Sequence, residues 1–199
     1  MVHQNLLSET SMITRTQSAE LEKAISGILP SETAKLIDLV DQMFDDYIRG
    51  AIHHNEIRKL ISIIQNKAGK AQTMPRSCAP IAIFNPISFI PPGITLLEAY
   101  LKLNGFVPVV LGLDEQTIKK MAGQIHPTVV VSLTLFHHID KLAKLKPCFE
   151  AAGLNVLAGG VPFMYQNQNK DKLSFCSFPD SFKQIVCKLS EDLLNENRK

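Results

Sequence analysis

Between residues 81 and 112 the chain reads I-A-I-F, a proline-punctuated loop, an apolar-periodic segment and then V-P-V-V-L-G, an order that few folds accept. The stretch S-F-I-P-P-G-I-T-L-L-E-A-Y-L-K-L-N-G, Ser88 to Gly105, sets Leu96, Leu97, Tyr100 and Leu101 at helical spacing and stops at Asn104-Gly105. Asn-Gly suits the left-handed turn that commonly ends a helix, so the stretch reads as strand, loop, helix, stop. Further apolar runs follow at 107–112, 128–133 (T-V-V-V-S-L), 155–160 (N-V-L-A-G-G) and 173–178 (L-S-F-C-S-F). Helical stretches at 114–125 and 138–152 separate them, with Pro147 as a break or restart in the second. A last helix at 179–194 sets Phe182, Ile185, Val186, Leu189 and Leu193 on the face turned to the sheet. Continuous apolar strands separated by helices predict a parallel sheet covered on both faces. In such sheets ligands bind beyond the carboxyl ends of the strands, which places the loop after the first strand at the centre of any site.

The first seventy residues carry only helical periodicity. Helices are predicted at 3–13 and 17–29, then from an N-cap at Ser31 through Leu36, Ile37, Val40, Met43, Phe44, Tyr47 and Ile48 to Arg49-Gly50. The next runs from about His54 through Ile57, Leu60, Ile61 and Ile64 to Gly69. Four apolar stripes that need partners make a four-helix bundle at 1–70, followed by a linker at 71–79 and an α/β domain at 80–199. The acidic residues Asp38, Asp41, Asp45 and Asp46 are expected on a solvated helix face.

Composition closes several routes. Lys and Arg outnumber Asp and Glu only 21 to 19 and are scattered, which argues against direct binding to nucleic acid. No apolar run nears the ~20 residues of a membrane span, and the N-terminus has no basic stretch leading into an apolar one; a cytoplasmic protein is expected. Cys78, Cys148, Cys176 and Cys187 form no C-x-x-C pair and no zinc spacing with histidine, as for reduced structural thiols. Hydrolytic chemistry has no G-x-S-x-G elbow, and neither G-x-x-x-x-G-K nor G-x-G-x-x-G is present. No enzyme activity is expected.

L-K-L-N-G-F-V-P-V-V-L-G at 101–112 resembles the cobalamin-binding domain family, whose first helix ends in a similar Leu-x-x-Asn-Gly-Phe. In that family a D-x-H-x-x-G loop precedes the helix, its Gly twelve residues before the helix-ending Gly, and here Gly93 stands twelve before Gly105. The family's Asp then falls on Ser88 and its cobalt-ligating His on Ile90. The resemblance extends to Ser132 and Thr134 in V-S-L-T and to the turn Gly159-Gly160. It implies a flavodoxin-like (Rossmann-like) five-stranded sheet flanked by helices, with the bundle capping the ligand. The chain is most similar in plan to the light-responsive cobalamin-dependent repressors and antirepressors and to corrinoid methyltransferase modules. Y-I-R-G-A-I-H-H-N-E-I-R at 47–58 is similar to the repressors' bundle motif through R-G-x-I, which places Tyr47 at the family's Trp and Arg58 or Ile57 at its capping His.

An imidazole binds cobalt through a lone pair and is oriented through its other N–H; Ile90 offers neither and Ser88 has nothing to orient. Burying Ile90 would contribute roughly 1.5–3 kcal/mol, and with Phe89, Pro91 and Pro92 the loop is expected to turn towards packing. A tetrapyrrole, whether cobalamin, haem or a bilin, is the implied ligand. If it carries a metal, His54 and His138 are the candidate axial ligands, with His53 and His137 beside them; surface or capping histidines are the alternative. His126 is read as structural. The expected function is a non-enzymatic sensor acting through a protein partner such as a transcription regulator. The alternatives are a methyl-transfer module holding cobalamin without a protein imidazole, and a ligand-free interaction platform filled by Phe89, Ile90 and Phe163.

Overall fold

The computed structural model describes residues 19–29, 31–71, 79–165 and 168–196. The chain divides into two compact units, Met1–Thr73 and Met74–Lys199.

In the first unit, helix α1 runs through residues 19–27 and is followed by α2 (Thr33–Ile48) and α3 (His54–Lys70). Leu21 and Ile25 of α1, Leu36, Val40 and Met43 of α2, and Ile57, Leu60, Ile61 and Ile64 of α3 are buried, while Ile37, Phe44, Tyr47 and Ile48 of the expected α2 stripe are half-buried. Lys59 pairs with Glu22 at 2.6 Å, and Lys67 Nζ donates to the Ser26 carbonyl at 3.0 Å, closing the end of α1. The predicted helix at 3–13 lies outside the described residues, so three of the four expected helices are seen. The cap of α2 is Glu32 rather than Ser31. Its carboxylate accepts the Leu29 N–H at 3.0 Å, and the Lys35 ammonium, then that N–H, holds its pKa below the usual range. Gly50, at φ +74°, provides the left-handed stop. Asp38 and Asp45 are solvated as expected; Asp41 and Asp46 are half-buried, with one Asp46 carboxylate oxygen wholly enclosed.

The second unit is a five-stranded parallel sheet in the order β2-β1-β3-β4-β5. Its strands are β1 (Ile81–Asn85), β2 (Pro108–Gly112), β3 (Thr128–Leu133), β4 (Asn155–Gly160) and β5 (Cys176–Ser177). Helix α4 (Pro92–Leu103) links β1 to β2, and α5 (Glu115–Met121) links β2 to β3. Beyond β3 come α6 (His138–Lys144) and α7 (Lys146–Ala151), split before Pro147. Short α8 (Val161–Tyr165) and α9 (Gln168–Asp171) precede β5, and α10 (Phe182–Glu196) closes the unit.

Side chains alternate between two apolar layers. On one face Ala82 and Phe84, Val129 and Val131, and Val156 and Ala158 pack with Ile118, Ile139, Leu142 and Phe149 of α5, α6 and α7. Phe84 and Phe149 meet edge-on at 5.7 Å, a contact worth roughly 0.5–1.5 kcal/mol beyond its area. On the other face Ile81, Ile83, Val130 and Leu157 are buried, and Tyr100 of α4 lies 5.5 Å from Phe182 of α10.

Two boundaries and one burial differ from expectation. The run at 173–178 pairs over only two residues, because the Leu173 N–H bonds to the Lys170 carbonyl and the Cys176 N–H to the Leu173 carbonyl, curling the segment into turns. The helix expected at 114–125 stops at Met121, and Gly123 turns the chain at φ +75°. Leu193 is only half-buried in α10.

Candidate functional site

Strand β1 sends the chain towards β2 and strand β3 sends it towards β4, so the connections diverge between two adjacent strands. That switch point, at the strands' carboxyl ends, leaves a crevice that no crossover fills. Register sets its floor: Asn85 pairs with Gly112, Ser132 pairs with Gly159, and Ser132 lies one step beyond the Phe84–Val131 pair. Small or polar residues therefore run across four strands in one row. A Cβ added at Gly159 would meet nothing within 4 Å, so this end of the row is open.

Asn85 is 4% exposed, and it governs the loop above the row. Its amide donates to the Ile87 carbonyl at 3.0 Å and the Phe89 carbonyl at 2.8 Å, and its Oδ1 accepts the Ile87 N–H at 3.4 Å. The loop is thus pinned through its backbone, with its apolar side chains outward. Phe89 is 61% exposed and Ile90 50%, so the expected packing of these two residues does not occur. They do not fill a pocket; Phe163 alone of the three is buried, 5.0 Å from Phe178.

Leu135 and Phe136, after β3, and Val161, after β4, are also exposed. Five large apolar side chains therefore rim the carboxyl ends of the adjacent strands β1, β3 and β4. Isolated exposed apolar residues need no explanation, but a cluster at a switch point marks a binding surface.

The α/β unit brings most of the predicted site residues to this edge. Ser88 is exposed in the pinned loop, Gly93 is the second residue of α4, and Ser132 and Thr134 are half-buried at the end of β3. Gly160 pairs with Leu133 at φ +117°. Tyr47, half-buried in the last turn of α2, Arg58, exposed on α3, and His54, the first residue of α3, belong to the other unit. Asn85, Leu135, Phe136 and Val161 were not anticipated. The Asn-Pro pair at 85–86 was the available signal, since asparagine before proline favours a side-chain-closed turn.

His138 is buried, and its Nδ1 accepts the Leu135 N–H at 3.3 Å. In that arrangement a neutral ring carries its proton on Nε2. Burial first, then the charges of His137 and Lys141, lowers its pKa below 6.5. The unfolded chain therefore takes up the proton more readily. This contribution to stability is complete above pH 6.5 and declines as pH falls from there towards the folded value. His138→Gln should flatten the pH dependence of the urea midpoint below pH 6.5; an unchanged slope would assign it to other groups.

At the opposite, amino ends of the strands, a cleft of about 210 Å³ is lined by Thr128, Asn155, Ser177, Lys188, Glu191 and Asp192. It is smaller than the roughly 300–1,000 Å³ of most ligand pockets, and Thr128 Oγ1 is bonded to the Asp192 carboxylate. His126 is buried nearby, its Nδ1 accepting the Thr128 N–H at 3.1 Å, in keeping with the structural reading. Burial pushes the Cys176 thiol up to about 12, which keeps it protonated and unreactive at neutral pH. Among the described residues no three His, Cys, Asp or Glu side chains group to hold a metal, and no helix is long and apolar enough to cross a membrane.

No protein-family model matches the chain, and no curated protein matches it. Among solved structures it is similar to the 1.5 Å crystal structure of a novel cobalamin-binding protein from Desulfitobacterium hafniense DCB-2. The alignment covers 94% of this chain and 98% of that one, at 14% identity and a TM-score of 0.58. The two share a fold. At so low an identity the likeness rests on the backbone, and the rim of this chain must be judged by its own residues.

Proposed function

We propose that this chain binds a corrinoid at the carboxyl edge of its sheet and acts, without catalysis of its own, as a sensor read by a protein partner. The observation that carries the reading is the exposed apolar rim at the switch point of a fold shared with a cobalamin-binding protein. A corrin is a broad, largely apolar disc edged with amides. Phe89, Ile90, Leu135, Phe136 and Val161 offer it apolar surface, the open space at Gly159 offers room, and Ser88 and Thr134 offer hydroxyls to its amides. A bound corrinoid would supply a cobalt centre able to respond to light, redox state or solutes. Ile90 has no lone pair to offer a metal, so the rim would hold the macrocycle by apolar contact. Covering five apolar side chains changes the surface that a partner meets, which is the basis of the sensor reading.

The exposure of the rim also favours a second reading, a ligand-free platform on which a partner docks directly. One experiment separates the two. The protein is mixed in the dark with cobalamin, haemin or biliverdin, desalted, and its absorption spectrum recorded. A retained corrinoid band, reduced about ten-fold or more in Phe89→Asp and Phe136→Asp, supports the first reading. A colourless protein leaves the platform. Partner capture that does not respond to loading would remove the sensor role.

A further inference from the structure

We infer that the rim selects its tetrapyrrole by charge, accepting an amide-edged corrinoid and rejecting carboxylate-bearing tetrapyrroles such as haem and biliverdin. The inference rests on the corrinoid reading above and narrows it. The loops at the carboxyl edge are residues 86–91 after β1, 113–114 after β2, 134–137 after β3 and 178–181 after β5, and β4 runs directly into α8. None of these loops contains lysine or arginine. The charged side chains they do contain are two acids, Asp114 and Asp180. Asp114 caps α5, accepting the Thr117 N–H and hydroxyl at 2.8 Å each, and these bonds hold its carboxyl below the usual range, so it is anionic. Cations stand beyond these loops, Lys183 in the first turn of α10 and Lys172 beside Asp140 of α6 among them. Lys141 of α6 exerts its charge on Asp114 and His138, and Lys170 of α9 lies over the Phe178 ring at 5.7 Å, on the β5 side.

Haem and biliverdin each carry a pair of propionates. A carboxylate brought against an apolar surface loses hydration, and that loss is offset only by a hydrogen-bonded cation or an array of N–H donors. Around Phe89, Ile90, Leu135, Phe136 and Val161 the polar side chains of the loops are Ser88, Thr134 and His137. Ser88 and Thr134 are neutral hydroxyls, which suit amides as both donors and acceptors and do little for a carboxylate. A cobinamide, which lacks the phosphate of the nucleotide tail, meets no unfavourable charge here.

The test is equilibrium dialysis of the full chain with dicyanocobinamide, cobalamin, haemin and biliverdin, repeated with Ser88→Lys and Thr134→Lys. Ser88 is exposed and Thr134 half-buried in a loop, so both positions admit the longer side chain. The expected result is that haemin and biliverdin bind about ten-fold or more weakly than the corrinoids, and that each lysine narrows the gap from both sides. Haemin or biliverdin binding the natural chain as tightly as cobinamide would overturn the selection while leaving corrinoid binding in place. A gap that neither lysine narrows would overturn charge as its cause. No binding of any of the four would overturn the corrinoid reading and this inference with it.

Discussion

Gly160→Ala should destabilise the α/β unit by roughly 3–4 kcal/mol, while Gly159→Ala, one residue earlier, should change it by less than about 0.5 kcal/mol. A Cβ on Gly160 would stand 2.0 Å from the Leu133 carbonyl oxygen and 2.9 Å from its carbon, and the residue sits at φ +117°, where side chains are strained. The atoms it would strike are backbone in the neighbouring strand β3, so no rotamer change relieves the clash. Gly159 meets nothing within 4 Å and needs no special conformation. Urea unfolding followed by circular dichroism, with hydrogen exchange at the amides of β3 and β4, checks the pair. Equal midpoints for the two variants would refute the account. The contrast also sorts the two glycines by role: Gly160 serves the packing of β4 on β3, and Gly159 is the one whose missing side chain leaves room. A bulky Gly159→Phe should accordingly reduce corrinoid retention without unfolding the sheet.

Asn85→Leu should cost roughly 1–3 kcal/mol, the range for leaving buried hydrogen-bonding groups without a partner. The variant strands the carbonyls of Ile87 and Phe89 and the Ile87 N–H, which the native amide satisfies together. Asn85→Asp keeps the shape and should fare no better, since a carboxylate cannot donate to either carbonyl. The loop's release should show as faster exchange at Ile87 and as chymotrypsin cleavage after Phe89, and corrinoid retention should fall with it. A loop that stays resistant to protease in both variants would mean that the prolines at 86, 91 and 92 hold it unaided.

The sheet was readable because β1, β3 and β4 are uninterrupted apolar runs, and α4 because its stripe ends at Asn104 and Gly105, which stands at φ +81°. That the loop after β1 lies at the carboxyl edge was readable; the exposure of its side chains was not. Phe89 and Ile90 read as core because apolar residues are usually buried; what turns them outward is a hydrogen-bonding side chain four and five residues away, a tertiary arrangement without periodicity. Asn85 itself looks like any turn residue until its two carbonyl partners are seen. Gly159 and Gly160 are identical as letters and opposite in function, because only the register with β3 distinguishes them. The apolar pattern of L-S-F-C-S-F overstated β5, since local turns captured the N–H groups that a longer ladder would have used.

The brevity of β5 has a consequence for life at high concentration. Both margins of a parallel sheet present unpaired backbone groups to which strands of other molecules can add. Here one margin is two residues long and the other, β2, begins with Pro108, which has no N–H to give. A sheet rimmed by exposed apolar side chains thereby offers only a short backbone template on which such surfaces could grow into aggregates.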